Sequence, residues 1–311
     1  MHFCVTEPLR TVYNMLYPWG MERVGVSNSV RLSVAIAAAE APPDAFVVWR
    51  GFRESFAKAA RSGYQGVELA LKTAEDVSPT LLGQWLAQND LEVSCISTGQ
   101  VFATLGLFFT HPDGSVRDRA VEVFNGLVDL AADFGGLVNV GRARGSYRAD
   151  QPLADTERLF VQTVQRICDY AQPKGVTILI EPVNRYEINF VNSVAQGAEI
   201  VKRVDRENLG LMPDLFHMNI EDDRIGDTLA RFGPLVRYIH VADSNRRAPG
   251  SGHLDFFDAF RGLRQARFRG WASVEILPLP DPDTAAERAA QTLKPMIEEY
   301  NRSLDDLLST S

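Results

Sequence analysis

Short apolar runs alternate along the chain with stretches whose apolar residues recur every three to four positions, the periods of buried strands and of helices. Eight runs read as strands: "VRLSVAIA" at 30–37, "GVELAL" at 66–71, "EVSCIS" at 92–97, "LVNVG" at 137–141, "VTILI" at 176–180, "LGLM" at 209–212, "VRYIHVA" at 236–242 and "ASVEI" at 272–276. Between them lie helical patterns. "FRESFAKAARSG" at 52–63 ends on a glycine placed to close the helix in the left-handed conformation. The pattern from Ser115 onward has that serine in position to cap it. "DTERLFVQTVQRICDYAQPKG" closes on Pro and Gly, and "SVAQGAEIVKRV" and "DTAAERAAQTLKPMIEEY" repeat the style.

Strands that alternate with helices imply parallel βαβ units, and eight such units predict one (β/α)8 TIM barrel over residues 30–305, with residues 1–29 as an N-terminal arm. A doubly wound open sheet is the structural alternative. Its nucleotide-binding form needs glycines after the first strand, where this chain has "AAEAPPDAF". The aromatic loop at 98–115 follows the third strand and so belongs to the catalytic face, where it would serve as a lid.

Composition narrows the function classes. The chain has 311 residues, is 45% hydrophobic and carries a formal net charge of −8. No Lys/Arg run supplies the basic footprint that phosphate backbones require, so a small-molecule partner is expected rather than nucleic acid. No apolar run reaches the length of a membrane span, and the N-terminus lacks the layout of a signal peptide, so a cytoplasmic protein without a membrane partner is expected. Cys4, Cys95 and Cys168 are sparse and far apart, which suits a reducing compartment and places Cys95 and Cys168 in the core.

The C-terminal ends of parallel barrel strands converge on one rim, and active sites are built there. The fifth strand delivers Glu181, with Glu187 six residues on; the sixth delivers Asp214, then His217; the seventh delivers His240, with Asp243, Asn245 and Arg246 beyond; the eighth delivers Glu275. Three carboxylates crowded in a low-dielectric site repel one another, and a divalent cation relieves the repulsion. Three oxygen donors and one imidazole suit Mn²⁺, Mg²⁺ or Co²⁺. A cation chelating a ketose acidifies the C–H bond beside the carbonyl. One glutamate can then remove that proton to give an enediolate, and the other can return a proton on the opposite face. Arg142, Arg144, Arg246 and Arg247 lie beyond strands four and seven, where a guanidinium could hold a substrate carboxylate.

The segments "IEPVNRYE", "DLFHMNIED", "HVADSNRRAPGSGHLDF" and "VEILPLP" resemble the sugar isomerase/epimerase family with the xylose-isomerase-like TIM barrel, and within it the D-tagatose 3-epimerase group. "STGQ" and "FTHPDGSVRDRA" are similar to bacterial 5-keto-L-gluconate epimerases. The resemblance implies metal ligation, usually of Mn²⁺, by Glu181, Asp214, His240 and Glu275, with Glu181 and Glu275 as the acid/base pair. It also implies that Glu187, His217 and Arg246 contact substrate oxygens, that His253 lies near the site, that Asp243 orients a ligand from behind, and that the chain forms a dimer or tetramer. Two features depart from the family pattern: Met212 and Pro213 ahead of Asp214, and the apolar lid segment "ATLGLFF". The expected activity is a metal-dependent epimerisation of a ketose or keto-sugar acid. The alternatives are an aldose–ketose isomerase such as a hydroxypyruvate isomerase, a DNA-repair endonuclease, and a non-catalytic binding protein. Five histidines and the negative charge argue against the endonuclease, and the presence of both glutamates argues against the binding protein.

Overall fold

The computed structural model describes residues 29–42 and 45–309, so the expected arm at 1–29 falls, but for Ser29, outside the described residues. Eight parallel strands form the barrel: β1 Val30–Ala37, β2 Gly66–Ala70, β3 Glu92–Ser97, β4 Leu137–Val140, β5 Thr177–Ile180, β6 Leu209–Leu211, β7 Tyr238–Val241 and β8 Gly270–Val274. Each lies within a residue or two of its expected place. A two-residue strand, Trp49–Arg50, pairs with the end of β1. Neighbours follow the order β6-β5-β4-β3-β2-β1-β8-β7. The remaining seam between β6 and β7 closes through two parallel bridges, Leu211 with Val236 and Asp214 with His240. Pro213 lacks a donor but still serves this seam, because its carbonyl accepts from the His240 amide at 2.9 Å.

Among the described residues ten helices wrap the barrel: α1 Phe52–Ser62, α2 Pro79–Asn89, α3 Gly99–Leu105, α4 Gly114–Asp133, α5 Leu153–Ala171, α6 Val194–Val204, α7 Leu215–Glu221, α8 Ile225–Phe232, α9 Phe256–Gln265 and α10 Pro282–Ser309. Gly63 closes α1 with φ 79°, as its position predicts. At α4 the cap is Asp113 rather than Ser115, which lies inside the first turn and donates its amide to the Asp113 carboxylate. A carboxylate both satisfies that amide and complements the positive end of the helix. Ser193 and Gln196 cap α6 reciprocally. Among the described residues no helix is long and apolar enough to cross a membrane.

Residues 98–113 correct the expectation of a long aromatic loop. The segment holds α3, and Phe109 beyond it is fully buried, packed on Phe124 at a centroid distance of 4.7 Å. The Phe109 amide donates to Ala143 O at 2.9 Å, which ties the segment to the end of β4. Its apolar character therefore belongs in part to the core.

The larger core lies between strands and helices. A smaller inner cluster of Cys95, Leu179, Met212, Tyr238 and Trp271 fills the barrel. Cys95 and Cys168 are buried free thiols, as expected for core residues. Polar side chains share the interior: Ser33, Glu68, Ser94, Asn139 and His240 are all at most 2% exposed.

Candidate active site

At the end of β5 the apolar run stops and Glu181 follows directly, its amide still donating to Val140 O. Asp214 caps α7, accepting the Phe216 amide at 2.8 Å through Oδ1. His240 lies within β7, and Glu275 is the first residue past β8. One ligand atom from each of Glu181, Asp214, His240 and Glu275 lies within 4.8 Å of the others. Ligands at opposite corners of an octahedral ion with bonds of about 2.1 Å would stand roughly 4.2 Å apart, so the cluster could hold one divalent cation after drawing in slightly. Asp214 Oδ2 is buried and makes no hydrogen bond, its ionic contact being Arg246 Nη1 at 3.2 Å, so it keeps room for a cation.

The imidazole of His240 is the hub. Its Nδ1 stands 2.9 Å from Glu181 Oε1 and 3.7 Å from Glu275 Oε2. On the other side Nε2 is 2.9 Å from Glu68 Oε2 and 3.0 Å from Oε1. Burial alone would lower the pKa of this histidine, but Glu68, Glu275 and Glu181 together raise it well above the ordinary value. Burial pushes the Glu275 carboxyl up to about 8 against the pull of His240 and Arg246, with Glu181 and Asp214 adding to the rise. Burial is thus the larger cause, and the crowded carboxylates add to it.

Three buried supports went unnoticed in the sequence, Asn184, described below, and the strand residues Glu68 and Asn139. Asn139, inside β4, donates from Nδ2 to Glu181 Oε2 at 3.1 Å and accepts the Thr98 amide at 2.8 Å through Oδ1. Gly141 leaves room for the same carboxylate: a Cβ there would come within 3.0 Å of Glu181 Oε2. In both strands the signal was a polar residue interrupting a short apolar run.

The expected substrate contacts converge. Glu187, His217 and Arg246 line a pocket together with Glu181 and Glu275. Asn184 donates from Nδ2 to His217 Nδ1 at 2.8 Å and to Glu187 Oε1 at 3.1 Å, fixing both side chains. Burial lowers the His217 pKa to about 3, so the ring is neutral. Nε2 lies 3.2 Å from Arg246 Nη1, a group that can only donate, and 3.7 Å from Asp214 Oδ2. The Arg246 guanidinium is buried between the rings of Phe46 and Phe216, 4.3 and 4.8 Å away, and pairs with Glu275 and, at 3.2 Å, with Asp214. Its backbone lies in the left-handed region at φ 57°, held by a bond from the Leu277 amide to Arg246 O at 2.7 Å.

Other expected residues lie elsewhere. Asp243 touches no member of the cluster through its carboxylate, which accepts the amides of Ser244, Gly250 and Leu254 and so folds the loop that presents Arg246. His253 is exposed on that loop, bonded to Ser244 Oγ at 3.1 Å, and does not line the pocket. Arg247 is also exposed. The two arginines after β4 differ sharply. Arg144 is fully buried and donates to the carbonyls of Phe190, Gly141 and Glu181, so it braces the β4 and β5 ends. Arg142 is half-buried and lines the pocket.

Comparison with known proteins agrees with the barrel fold. Residues 56–296 match the model of the xylose isomerase-like TIM barrel family. The chain is 32% identical to an L-ribulose 3-epimerase of a Methylomonas species over 71% of this chain and 76% of that protein. It is 37% identical to a D-psicose 3-epimerase of Agrobacterium fabrum over 70% of this chain and 76% of that one. A crystal structure of a D-allulose 3-epimerase from a Methylomonas species shares the fold with a TM-score of 0.75 and 24% identity, covering 88% of this chain and 99% of the other. Epimerases are isomerases, and this chain is an isomerase. It belongs to the xylose isomerase-like TIM barrel family.

Proposed function

We propose that the protein inverts the carbon beside the carbonyl of a ketose or keto-sugar acid, with Glu181 and Glu275 as the acid/base pair. Glu181, Asp214, His240 and Glu275 hold one divalent cation, Mn²⁺ in the first instance, with Mg²⁺ or Co²⁺ as alternatives. The observation that carries this reading is the approach of two glutamates, from strands separated by two others, to the same imidazole at 2.9 and 3.7 Å. The bound cation would supply Lewis-acid polarisation of the substrate carbonyl.

The remaining work falls to the side chains. One glutamate takes the proton from the carbon beside the carbonyl, and the other returns one to the opposite face of the enediolate. Asn139 and the small Gly141 hold Glu181 in place from behind. His217 contacts a substrate oxygen beside Arg246, and Glu187 accepts from a substrate hydroxyl. Arg246 offsets the charge of Glu275 and Asp214, so both carboxylates stay close in a buried site.

Arg142 favours an acid as substrate over a neutral ketose. It lines the pocket, and no hydrogen bond or ion pair to protein engages its guanidinium among the described residues. A guanidinium in that setting suits bidentate capture of a carboxylate.

The test is to strip the protein with a chelator, restore Mn²⁺, and screen ketohexoses and ketohexuronates by NMR in D₂O. An epimerase installs deuterium at the inverted carbon; an aldose–ketose isomerase moves label to the neighbouring carbon and makes an aldose. No turnover of any ketose or keto acid, with metal bound, would overturn the reading. Replacing Arg142 by Ala should raise KM for a ketohexuronate about tenfold or more and leave ketohexoses unaffected, if the acid is the substrate.

A further inference from the structure

We propose that Glu68 is a positioning residue for the metal centre, fixing His240 with Nδ1 turned toward the cluster, so that cation affinity depends on a side chain that touches neither cation nor substrate. The proposal rests on the reading that Glu181, Asp214, His240 and Glu275 hold the cation.

Glu68 sits in the middle of β2, 0% exposed, and is absent from the pocket lining. A carboxylate inside a barrel costs several kcal/mol unless it is paired and hydrogen-bonded. This one is fully engaged. His240 Nε2 lies within 3.0 Å of both oxygens, and the Tyr238 hydroxyl donates to Oε2 at 2.8 Å. With its proton given to Glu68, the Tyr238 oxygen is left to accept, and Ser94 Oγ at 2.7 Å and Ser33 Oγ at 3.2 Å lie within reach.

The backbone is built for this contact. Pairing between β2 and β3 shifts register between Val67 and Glu68, which pair with Val93 and Cys95, so Ser94 is the extra residue of a bulge. Bulges re-aim side chains beside active sites. Here the bulge turns the Ser94 hydroxyl to Tyr238. Side chains from β1, β2, β3 and β7 thus form one relay, Ser33 and Ser94 to Tyr238 to Glu68 to His240, beneath the rim.

The consequence is a choice of tautomer. Once a cation displaces the Nδ1 proton that bonds Glu181, the imidazole, still donating Nε2–H to Glu68, would turn its Nδ1 lone pair to the cation position. A carboxylate behind a ligating histidine also makes that histidine more basic, and removing such partners weakens metal binding about 10- to 100-fold.

The experiment uses the full chain and reads Mn²⁺ binding directly, by titration against free-ion EPR signal. Glu68→Gln keeps the volume and an acceptor and loses the charge. It should weaken Mn²⁺ binding about tenfold or more, while KM for the ketose at saturating Mn²⁺ stays unchanged. Binding within twofold of wild type overturns the proposal. Should Glu68→Gln fail to fold, Tyr238→Phe removes only the hydroxyl that orients Glu68 and should weaken binding several-fold; unchanged binding overturns the proposal equally. In ¹⁵N-labelled, Mg²⁺-loaded wild-type protein, His240 should carry its ring proton on Nε2, and an Nδ1–H tautomer contradicts the assignment. Wild-type protein that takes up no Mn²⁺ at all would sink the reading of the four ligands, a result distinct from normal uptake by both wild type and Glu68→Gln.

Discussion

Strands β5 to β8 contribute to the site at or near their ends, through Glu181, Asp214, His240 and Glu275. Strands β2 and β4 contribute from within, through Glu68, which lies outside the pocket lining, and Asn139, which bonds Glu181. One half of the barrel therefore supplies the reacting groups and the other half supplies much of what holds them still. The difference follows from geometry. A strand end opens onto the rim and the pocket, whereas a residue in mid-strand can only point into the barrel or out to the helices. A buried carboxylate in the interior must find a partner, and for Glu68 that partner is the histidine of the opposite half.

The sharpest test of this division is a rim glutamate. Glu275→Gln should lower kcat/KM about 10³-fold while thermal unfolding stays within a few degrees of wild type. Steady-state kinetics and a circular-dichroism melt check both parts, and full activity would break the comparison. A brace on the other side should show the reverse pattern. Arg144→Met strips three buried carbonyls of their donor and should cost about 3 kcal/mol in urea unfolding, with kcat for the surviving folded enzyme much less affected.

Asn139→Ala should fall between the two. It frees Glu181 Oε2 and should lower kcat/KM about tenfold without changing substrate selectivity, which parallel assays on two ketoses would reveal. The smallest effect is expected outside both halves, at Asp222, which ends α7. Burial raises its pKa to about 6, with Glu221 and Asp223 adding. Ionisation is thus harder in the folded chain than in the unfolded one. Its favourable contribution is complete at pH values below about 4 and is lost as pH rises through 6. Asp222→Asn should therefore be about 1 kcal/mol more stable than wild type at pH 8, allowing for the water that still reaches the carboxylate, and equal to it near pH 4. Unfolding curves at the two pH values decide the matter; an equal gain at both would contradict the sign.

Much of the barrel was legible because its strands are short, apolar and regularly spaced, and because Gly63 and Ser193 mark helix ends by local chemistry. Helices α2, α7, α8 and α9 left a weaker trace. Of these α7 and α8 span only 7 and 8 residues, too short for a period to repeat more than twice. The aromatic stretch at 98–115 reads as a loop but holds α3, whose Gly99, Gln100 and Ala103 line the pocket. Phe109 is apolar because it is core, and no sequence pattern distinguishes a core phenylalanine in a connection from one on a lid.

The sequence by itself determined the barrel, its rim and the four residues that the rim collects, since strand spacing and side-chain type are properties of the chain alone. Only the tertiary structure decided which polar residues support them. Arg142 and Arg144 are two positions apart in the chain, yet one lines the pocket and the other is locked on backbone carbonyls. Asp243 sits near the rim and turns its carboxylate to its own loop, while Glu68, 172 positions from His240, meets its imidazole. Contacts of that kind depend on where the closed sheet brings distant strands, and desolvation then forces each buried charge to the partner it finds there.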